Sequence, residues 1–376
     1  MNELLNLCYS QYGKPNLKNT YIISAQHVLA SIYELFIFLE SCGLDLSKVF
    51  VIGKCYSSSS LISQKMQKLG ICVSEDSFSF NSHESFDSQY SIYIESFIHR
   101  IAKKVDFNKC ERIIVLDDGG TLISKIQRNP KFKRAKIVGI EQTSAGYNQL
   151  QSQNLLIPII NVARSKAKLT LESPHITNSF LRKLSEYVSC DELFDYKILI
   201  LGKGAIGTSL FYELNEFSVD IYDPKITDKE RLLPLINSAD IIIGCSGHTS
   251  LPYKLHKHLK KDVLLASLSS SDREFDAQYI RKKFPRNSDP WLCYYSKNLT
   301  LLQSGFPLNF WGTPHNIPLE HISITLALLA SAIFYAGTKE SMDLIFNDLD
   351  YSNENELMTL YSNLTNASPI KHTIAH

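Results

Sequence analysis

Lys197-Ile198-Leu199-Ile200-Leu201 runs without a break into Gly202-Lys203-Gly204-Ala205-Ile206-Gly207, and that junction constrains the fold more than any other stretch. A short apolar run reads as a buried strand, and Ile206 to Glu216 reads as the helix that it feeds. Each glycine has a mechanical reason at its place. The first permits a tight turn, the second lets backbone approach a pyrophosphate, and the third allows helix and strand to pack closely. The helix start then offers unpaired N–H groups to an anion. Asp223 lies 21 residues after Gly202 and closes the next apolar run, Val219-Asp220-Ile221-Tyr222. A carboxylate there accepts ribose hydroxyls and repels a 2′-phosphate. The expectation is an NAD site, not an NADP site, on Gly202, Lys203, Gly204, Ala205, Ile206, Gly207 and Asp223.

Apolar runs of the same kind recur on both sides of this junction, separated by helical patterns. Upstream stand Phe50-Val51-Ile52, Ile113-Ile114-Val115-Leu116, Lys136 to Ile140 and Leu156 to Ile160. Downstream are Asp240 to Ile243 and Val263 to Ala266. Strands alternating with helices imply parallel sheets, so the expected class is α/β, with a Rossmann-type doubly wound NAD domain and a second α/β domain. The NAD domain is expected over 185–315. A discontinuous substrate domain takes 1–184 and 316–376.

With 39 Lys+Arg against 38 Asp+Glu, no basic excess exists to neutralise phosphates, so no nucleic-acid partner is expected. The uncharged stretch Ile322 to Gly337 is shorter than the roughly 20 residues of a bilayer span and reads as a buried helix, so no membrane partner is expected. Eight scattered cysteines without a CxxC pair, and a start without an apolar leader pattern, read as a reduced cytoplasmic chain. His256 and His258 have no acids at ligand spacing beside them, so no metal is expected. His248, after the run ending at Gly244, reads as a loop histidine.

Further motifs fit one family. Asp117-Asp118-Gly119-Gly120, Glu141-Gln142-Thr143-Ser144-Ala145-Gly146, Pro158-Ile159-Ile160-Asn161-Val162 and Leu308-Asn309 follow one another in the order and spacing of the S-adenosylhomocysteine hydrolases (adenosylhomocysteinases). The chain resembles that family from about His27 to about Ala327. The resemblance implies an NAD-dependent enzyme acting on a nucleoside or adenosyl thioether by oxidising a ribose 3′-hydroxyl. It implies Asp118, Lys168, Glu172 and His27 as catalytic residues, with Gln142 and His315 completing the substrate contacts. It also implies cofactor contacts at Thr143, Ser144, Ala145, Ser173, Ser246, Gly247, Ser269, Ser270 and Asn309, and a homo-oligomer, a dimer or tetramer.

Several positions depart from the family in ways that bear on chemistry. Gln142 stands for a ribose-binding glutamate, and Ser270 for an active-site histidine. Leu29 and Ser31 replace a threonine and a glutamate on the helix that reads adenine, while Ser173 and Thr177 replace an asparagine and a cysteine. The family's final Lys-Pro-Asp-His-Tyr-Arg-Tyr has no counterpart here. Serine does not titrate near neutral pH, so slow or absent hydrolysis of S-adenosylhomocysteine itself is expected. Two other classes are compatible with the residues. One is a non-catalytic NAD and nucleoside sensor. The other is a hydroxy-acid dehydrogenase, which would place an arginine and a histidine–glutamate pair at strand ends near Arg273 and Glu274.

Overall fold

The structure is a computed structural model and describes residues 2–284, 289–296 and 298–365. Residues 366–376 of the expected substrate domain lie outside those residues. The chain divides into two units. Of the described residues, the first takes 2–78, 91–172 and 313–365, and the second takes 79–90 and those from 173 to 312.

The first unit is built on β1 (Thr20–Ala25), β2 (Val49–Ile52), β3 (Cys72–Ser74), β4 (Arg112–Asp117), β5 (Ile137–Glu141) and β6 (Ile159–Asn161). Every residue of β1, β2, β4 and β5 is buried, as expected for parallel strands covered on both faces. Their order across the sheet is β3-β2-β1-β4-β5-β6, and all the pairings are parallel. This is the doubly wound 3-2-1-4-5-6 order, which reverses between β1 and β4. The 20-residue helix Leu319–Thr338 is apolar and long enough to cross a membrane by composition alone, yet it is the central helix of this unit's core. Ile324, Leu328, Ile333 and Phe334 are fully buried there, and Leu4, Leu5 and Cys8 of the helix Asn2–Tyr12 join the same core.

The second unit holds β7 (Lys197–Leu201), β8 (Ser218–Tyr222), β9 (Ile241–Gly244), β10 (Val263–Ser267), β11 (Tyr294–Tyr295) and β12 (Leu299–Leu301). Their order is β8-β7-β9-β10-β12-β11, parallel except for the β11 edge. Alternate residues of β7 serve opposite faces: Ile198 and Ile200 enter one core, and Leu199 and Leu201 the other. A last strand, β13 (Phe346–Asp348), pairs in parallel with β6 and extends the first unit's sheet.

The division differs from the sequence expectation at 79–90, 173–184 and 313–315, and the first two differences have a packing reason. The helix Ser173–Leu184 belongs to the second unit, because Phe180 and Leu184 pack with Ile198 and Leu210. Residues 79–90 also join the second unit. Phe80 and Phe86 set their rings against Phe306 at 5.0 and 5.7 Å. The fully buried Arg281 holds this segment by donating to the carbonyls of Ser82 (2.8 Å) and Glu84 (2.9 Å) while pairing with Asp272 (2.6 Å).

Candidate functional site

In the first unit, the polar side chains gather where the strand order reverses, at the C-terminal ends of the strands, the place where open α/β sheets bind ligands. Gln26 and His27 follow β1, Lys54 follows β2, Asp118 follows β4 and Gln142 follows β5. The Asp118 amide donates to the Ala25 carbonyl at 3.0 Å, which ties the ends of β4 and β1 together.

Asp118 is the centre of this group. Lys54 donates to its Oδ1, Gln142 Nε2 donates to its Oδ2 at 2.6 Å, and His27 Nε2 lies 3.5 Å from the same oxygen. Gln26 and Gln142 exchange amide hydrogen bonds of 3.1 and 3.2 Å, which fixes the Gln142 amide so that its nitrogen faces Asp118. His27 Nδ1 pairs with Ser57 Oγ. Burial alone would raise the Asp118 carboxyl, but the Lys54 ammonium beside it, then His27 and the Gln142 hydrogen bond, outweigh that and hold it below the usual carboxylate range. Burial pushes the His27 imidazole down to about 4, despite Asp118, and the charges of Lys54 and Lys168 push the same way. At neutral pH the group therefore presents an ionised carboxylate beside a neutral imidazole. Such a pair accepts a substrate O–H.

Lys168 and Glu172 sit one turn apart in a single π-helical turn, Lys168–Glu172. Lys168 Nζ donates to Glu172 Oε2 at 2.5 Å, and Thr325 Oγ1 donates to Glu172 Oε1 at 2.7 Å. The longer reach of glutamate at this position is used to meet Thr325 on the central helix. In this geometry Lys168 serves as a hydrogen-bond donor. His315 does not join the group. Its side chain is exposed, and its carbonyl accepts from Thr313 Oγ1 at 3.0 Å.

In the second unit the glycine turn has the mechanics its sequence requires. Gly202 has φ +109°, and a Cβ there would meet Ser246 backbone at 2.8 Å. A Cβ on Gly207 would lie 2.0 Å from the Gly202 carbonyl oxygen. Gly204, which caps the helix Ala205–Glu213, has open space where a Cβ would be. Lys203 is exposed, and Ala205 and Ile206 are half-buried in the first turn. Asp223 follows β8, and its two oxygens accept from the amides of Lys203 (2.9 Å) and Lys225 (3.0 Å), leaving lone pairs for further donors. Asn309 is buried, and its Oδ1 has no partner among the described residues, so it can receive a donor from a ligand. The glycine turn, Asp223 and Asn309 fit a dinucleotide.

Several of the other residues implied by the resemblance are engaged within the protein. Ser246 Oγ, Gly247 N and Ser269 Oγ donate to the buried Glu274 carboxylate at 2.8, 2.7 and 2.6 Å, and Ser250 donates to it as well. Glu274 thus knits the loops after β9 and β10. Arg273 donates to the Gly247 carbonyl and to Asp87, and His248 is exposed. Ser270 is half-buried. Thr143 is a helix cap that accepts from Gly146 N at 3.0 Å. Ser144 is exposed and Ala145 half-buried in the helix it caps, Ser144–Gln151, in the first unit. The Ser173 carbonyl accepts from Thr177 Oγ1 at 3.2 Å. Among the described residues no group of three His, Cys, Asp or Glu side chains is arranged to hold a metal ion.

No sequence model of a known protein family matches the chain. Two proteins of Mycobacterium tuberculosis, the uncharacterized proteins MT0113 of strain CDC 1551 / Oshkosh and Rv0104 of strain H37Rv, are each 39% identical to it over 336 residues. The match takes 86% of this chain and spans 65% of the length of those relatives. Among solved structures, a dipicolinate synthase chain from Bacillus halodurans superimposes with a TM-score of 0.43 at 10% identity, over 86% of this chain and 99% of that one. NAD+-bound 3-phosphoglycerate dehydrogenase of Entamoeba histolytica gives 0.44 at 12%, over 88% and 100%. The D-isomer specific 2-hydroxyacid dehydrogenase of Xanthobacter autotrophicus Py2, in complex with NADPH and MES, gives 0.35 at 12%, over 66% and 87%. Likeness at this level assigns neither ligand nor reaction to the present chain.

Proposed function

We propose that the protein is an NAD-dependent, dehydrogenase-type oxidoreductase that oxidises a hydroxyl group of a small polar molecule. The observation that carries this reading is Asp118, an ionised, buried carboxylate held by Lys54, Gln142 and His27 at the strand-order reversal of one sheet. The other sheet carries a glycine turn that fits a dinucleotide. The Gly202–Gly207 turn would hold the pyrophosphate, Asp223 the adenosine ribose, and Asn309 a donor of the cofactor. Bound NAD supplies a hydride acceptor. Asp118 then accepts the hydrogen bond of the substrate hydroxyl and takes up its proton, while Lys54 compensates the charge on the carboxylate before that transfer. His27, uncharged, orients the hydroxyl. Lys168 donates to a second oxygen of the substrate.

The finer reading, a divergent adenosylhomocysteinase-like enzyme on a nucleoside or adenosyl thioether, is favoured by the Asp117-Asp118-Gly119-Gly120 turn together with the Lys168–Glu172 pair. A homo-oligomer belongs to that finer reading. Eight cysteines, none of them in a disulfide among the described residues, suit a reducing compartment such as the cytoplasm. The test is to mix protein and NAD with nucleosides, S-adenosylhomocysteine and 2-hydroxy acids while following NADH absorbance and free thiol. NADH from a nucleoside with thiol release supports the finer reading, and NADH from a 2-hydroxy acid supports the simple dehydrogenase. No NADH from any of them overturns oxidation.

A further inference from the structure

Behind the Asp118 turn lies a second carboxyl that the proposed chemistry does not use. Glu141 ends β5 directly opposite Asp117, the last residue of β4, in the parallel register, and both side chains are buried. One oxygen of Glu141 does all the work. Oε1 accepts from Thr143 N (2.7 Å), Thr143 Oγ1 (2.6 Å) and Gly119 N (3.3 Å), and so holds the turn that presents Asp118 and the cap that follows Gln142. Oε2 is buried with no hydrogen-bond partner among the described residues. It packs against Gly146, where a Cβ would lie 2.6 Å away.

Charge balance decides what state this carboxyl holds. The charged and titratable groups that act on it are Asp117 and Asp118, both at the end of β4. The Lys54 ammonium nearby is paired with Asp118, and Asp117, its own carboxyl raised by burial to about 7, accepts from Ile123 N at 2.8 Å and so caps the helix after Gly120. Three ionised carboxyls against one ammonium in a buried place would carry a large desolvation cost. Asp118 has the donors to stay ionised. Glu141, with one bare oxygen, does not.

We propose that Glu141 is a neutral acid in the folded protein, its proton on Oε2, and that it acts as a positioning residue for Asp118 and Gln142. Burial, and then the neighbouring Asp117, raise its carboxyl well above the usual range, in agreement with the geometry. Only its bearing on turnover rests on the Asp118 group being the substrate site. Its state and its hold on the turn do not. Because the folded protein keeps this proton and the unfolded chain releases it, ionisation at alkaline pH should loosen the Asp118 turn.

The experiment is infrared spectroscopy of the whole protein at neutral pH, with thermal unfolding from mildly acidic pH to about pH 9. It uses wild type, Glu141→Gln, Glu141→Ala and Asp117→Asn, without NAD or substrate. Glutamine reproduces the neutral acid in shape and hydrogen bonding. The expected result is a protonated-carboxyl C=O band that Glu141→Gln lacks and Asp117→Asn keeps, at least in part. Glu141→Gln should fold, with a melting temperature that falls less with rising pH than the wild type's, while Glu141→Ala melts lower throughout. The proposal is overturned if Glu141→Gln keeps the whole band, if Asp117→Asn alone removes it, or if Glu141→Gln loses stability with pH as steeply as wild type. None of these readouts needs turnover, so they stand or fall apart from the dehydrogenase reading.

Discussion

Lys54 and Asp118 are 64 residues apart in sequence and form a buried ion pair, with side chains 4% and 5% exposed. The pair spans the sheet: Lys54 leaves β2, Asp118 leaves β4, and β1 lies between them. Neither charge has water to fall back on, so each depends on the other.

Removing one partner should therefore cost far more than removing a surface ion pair. Lys54→Met leaves Asp118 buried and uncompensated, and we expect a loss of about 3–5 kcal/mol in denaturant unfolding. Lys54→Met combined with Asp118→Asn should recover part of that loss, because the stranded charge is gone. A single-variant cost below about 1 kcal/mol, the range of exposed pairs, would contradict the buried pairing.

The acid side of the stability profile should show His27. Its folded value of about 4 lies below its ordinary 6.5, so the unfolded chain binds the proton more readily. The His27 contribution to stability is complete above about pH 6.5 and is lost as the pH falls toward 4, by roughly 3 kcal/mol in total. Asp118, also lowered, adds its own loss only below its unfolded value, near pH 4. His27→Gln should flatten the stretch between pH 6.5 and 4 and leave the more acid loss in place. An unchanged slope in that stretch would show that His27 is not buried in its neutral form.

Much of this arrangement was legible in the sequence, for reasons particular elements make plain. The apolar runs at Ile113, Ile137, Lys197 and Val263 became parallel strands because continuous burial leaves an unmistakable pattern. The glycine turn was readable because each glycine answers a steric demand. Lys54, Gln26, Ser57 and Glu141 were missed. Nothing in Gly53-Lys54-Cys55 marks a lysine that will be buried. Its only signal is its place just after an apolar run, and that acquires meaning only once the strand order brings β2 near β4. His315 misled because matching a motif aligns residue types without fixing which way a loop side chain faces. The assignment of Ser246, Gly247 and Ser269 to a cofactor missed Glu274, a buried acid with a claim on all three.

The second and third glycines of the turn separate folding from cofactor binding. Gly207→Ala drives a methyl to 2.0 Å from a backbone carbonyl and should lower the melting temperature and abolish NAD binding together. Gly204→Ala meets no protein atom within 4 Å, so it should melt like wild type and yet bind NAD more weakly, its methyl occupying space meant for the pyrophosphate. Equal NAD affinity in Gly204→Ala and wild type would move the cofactor off this turn. Asp223→Ala should weaken NAD by about 1.5–3 kcal/mol and narrow its preference over NADP.

Gly146 should be as sensitive as Gly207, for a different reason. An added methyl would come within 2.4 Å of the Glu141 carboxyl, which cannot retreat without releasing Thr143 and Gly119. Gly146→Ala is expected to fall in the range of about 1–3 kcal/mol typical of overpacked cores, read by thermal unfolding. A variant as stable as wild type would show that the carboxyl is not confined there.

The central claim is that Asp118 takes the proton of a hydroxyl oxidised by NAD. It is tested most directly by the initial rate of NADH formation, with Asp118→Asn beside wild type at saturating NAD and saturating hydroxyl substrate. Asparagine keeps the shape and cannot accept the proton. Loss of a positioned acid–base group should slow the rate by about 10²–10⁴, while the NAD affinity stays that of wild type. A variant that forms NADH at the wild-type rate would contradict the account.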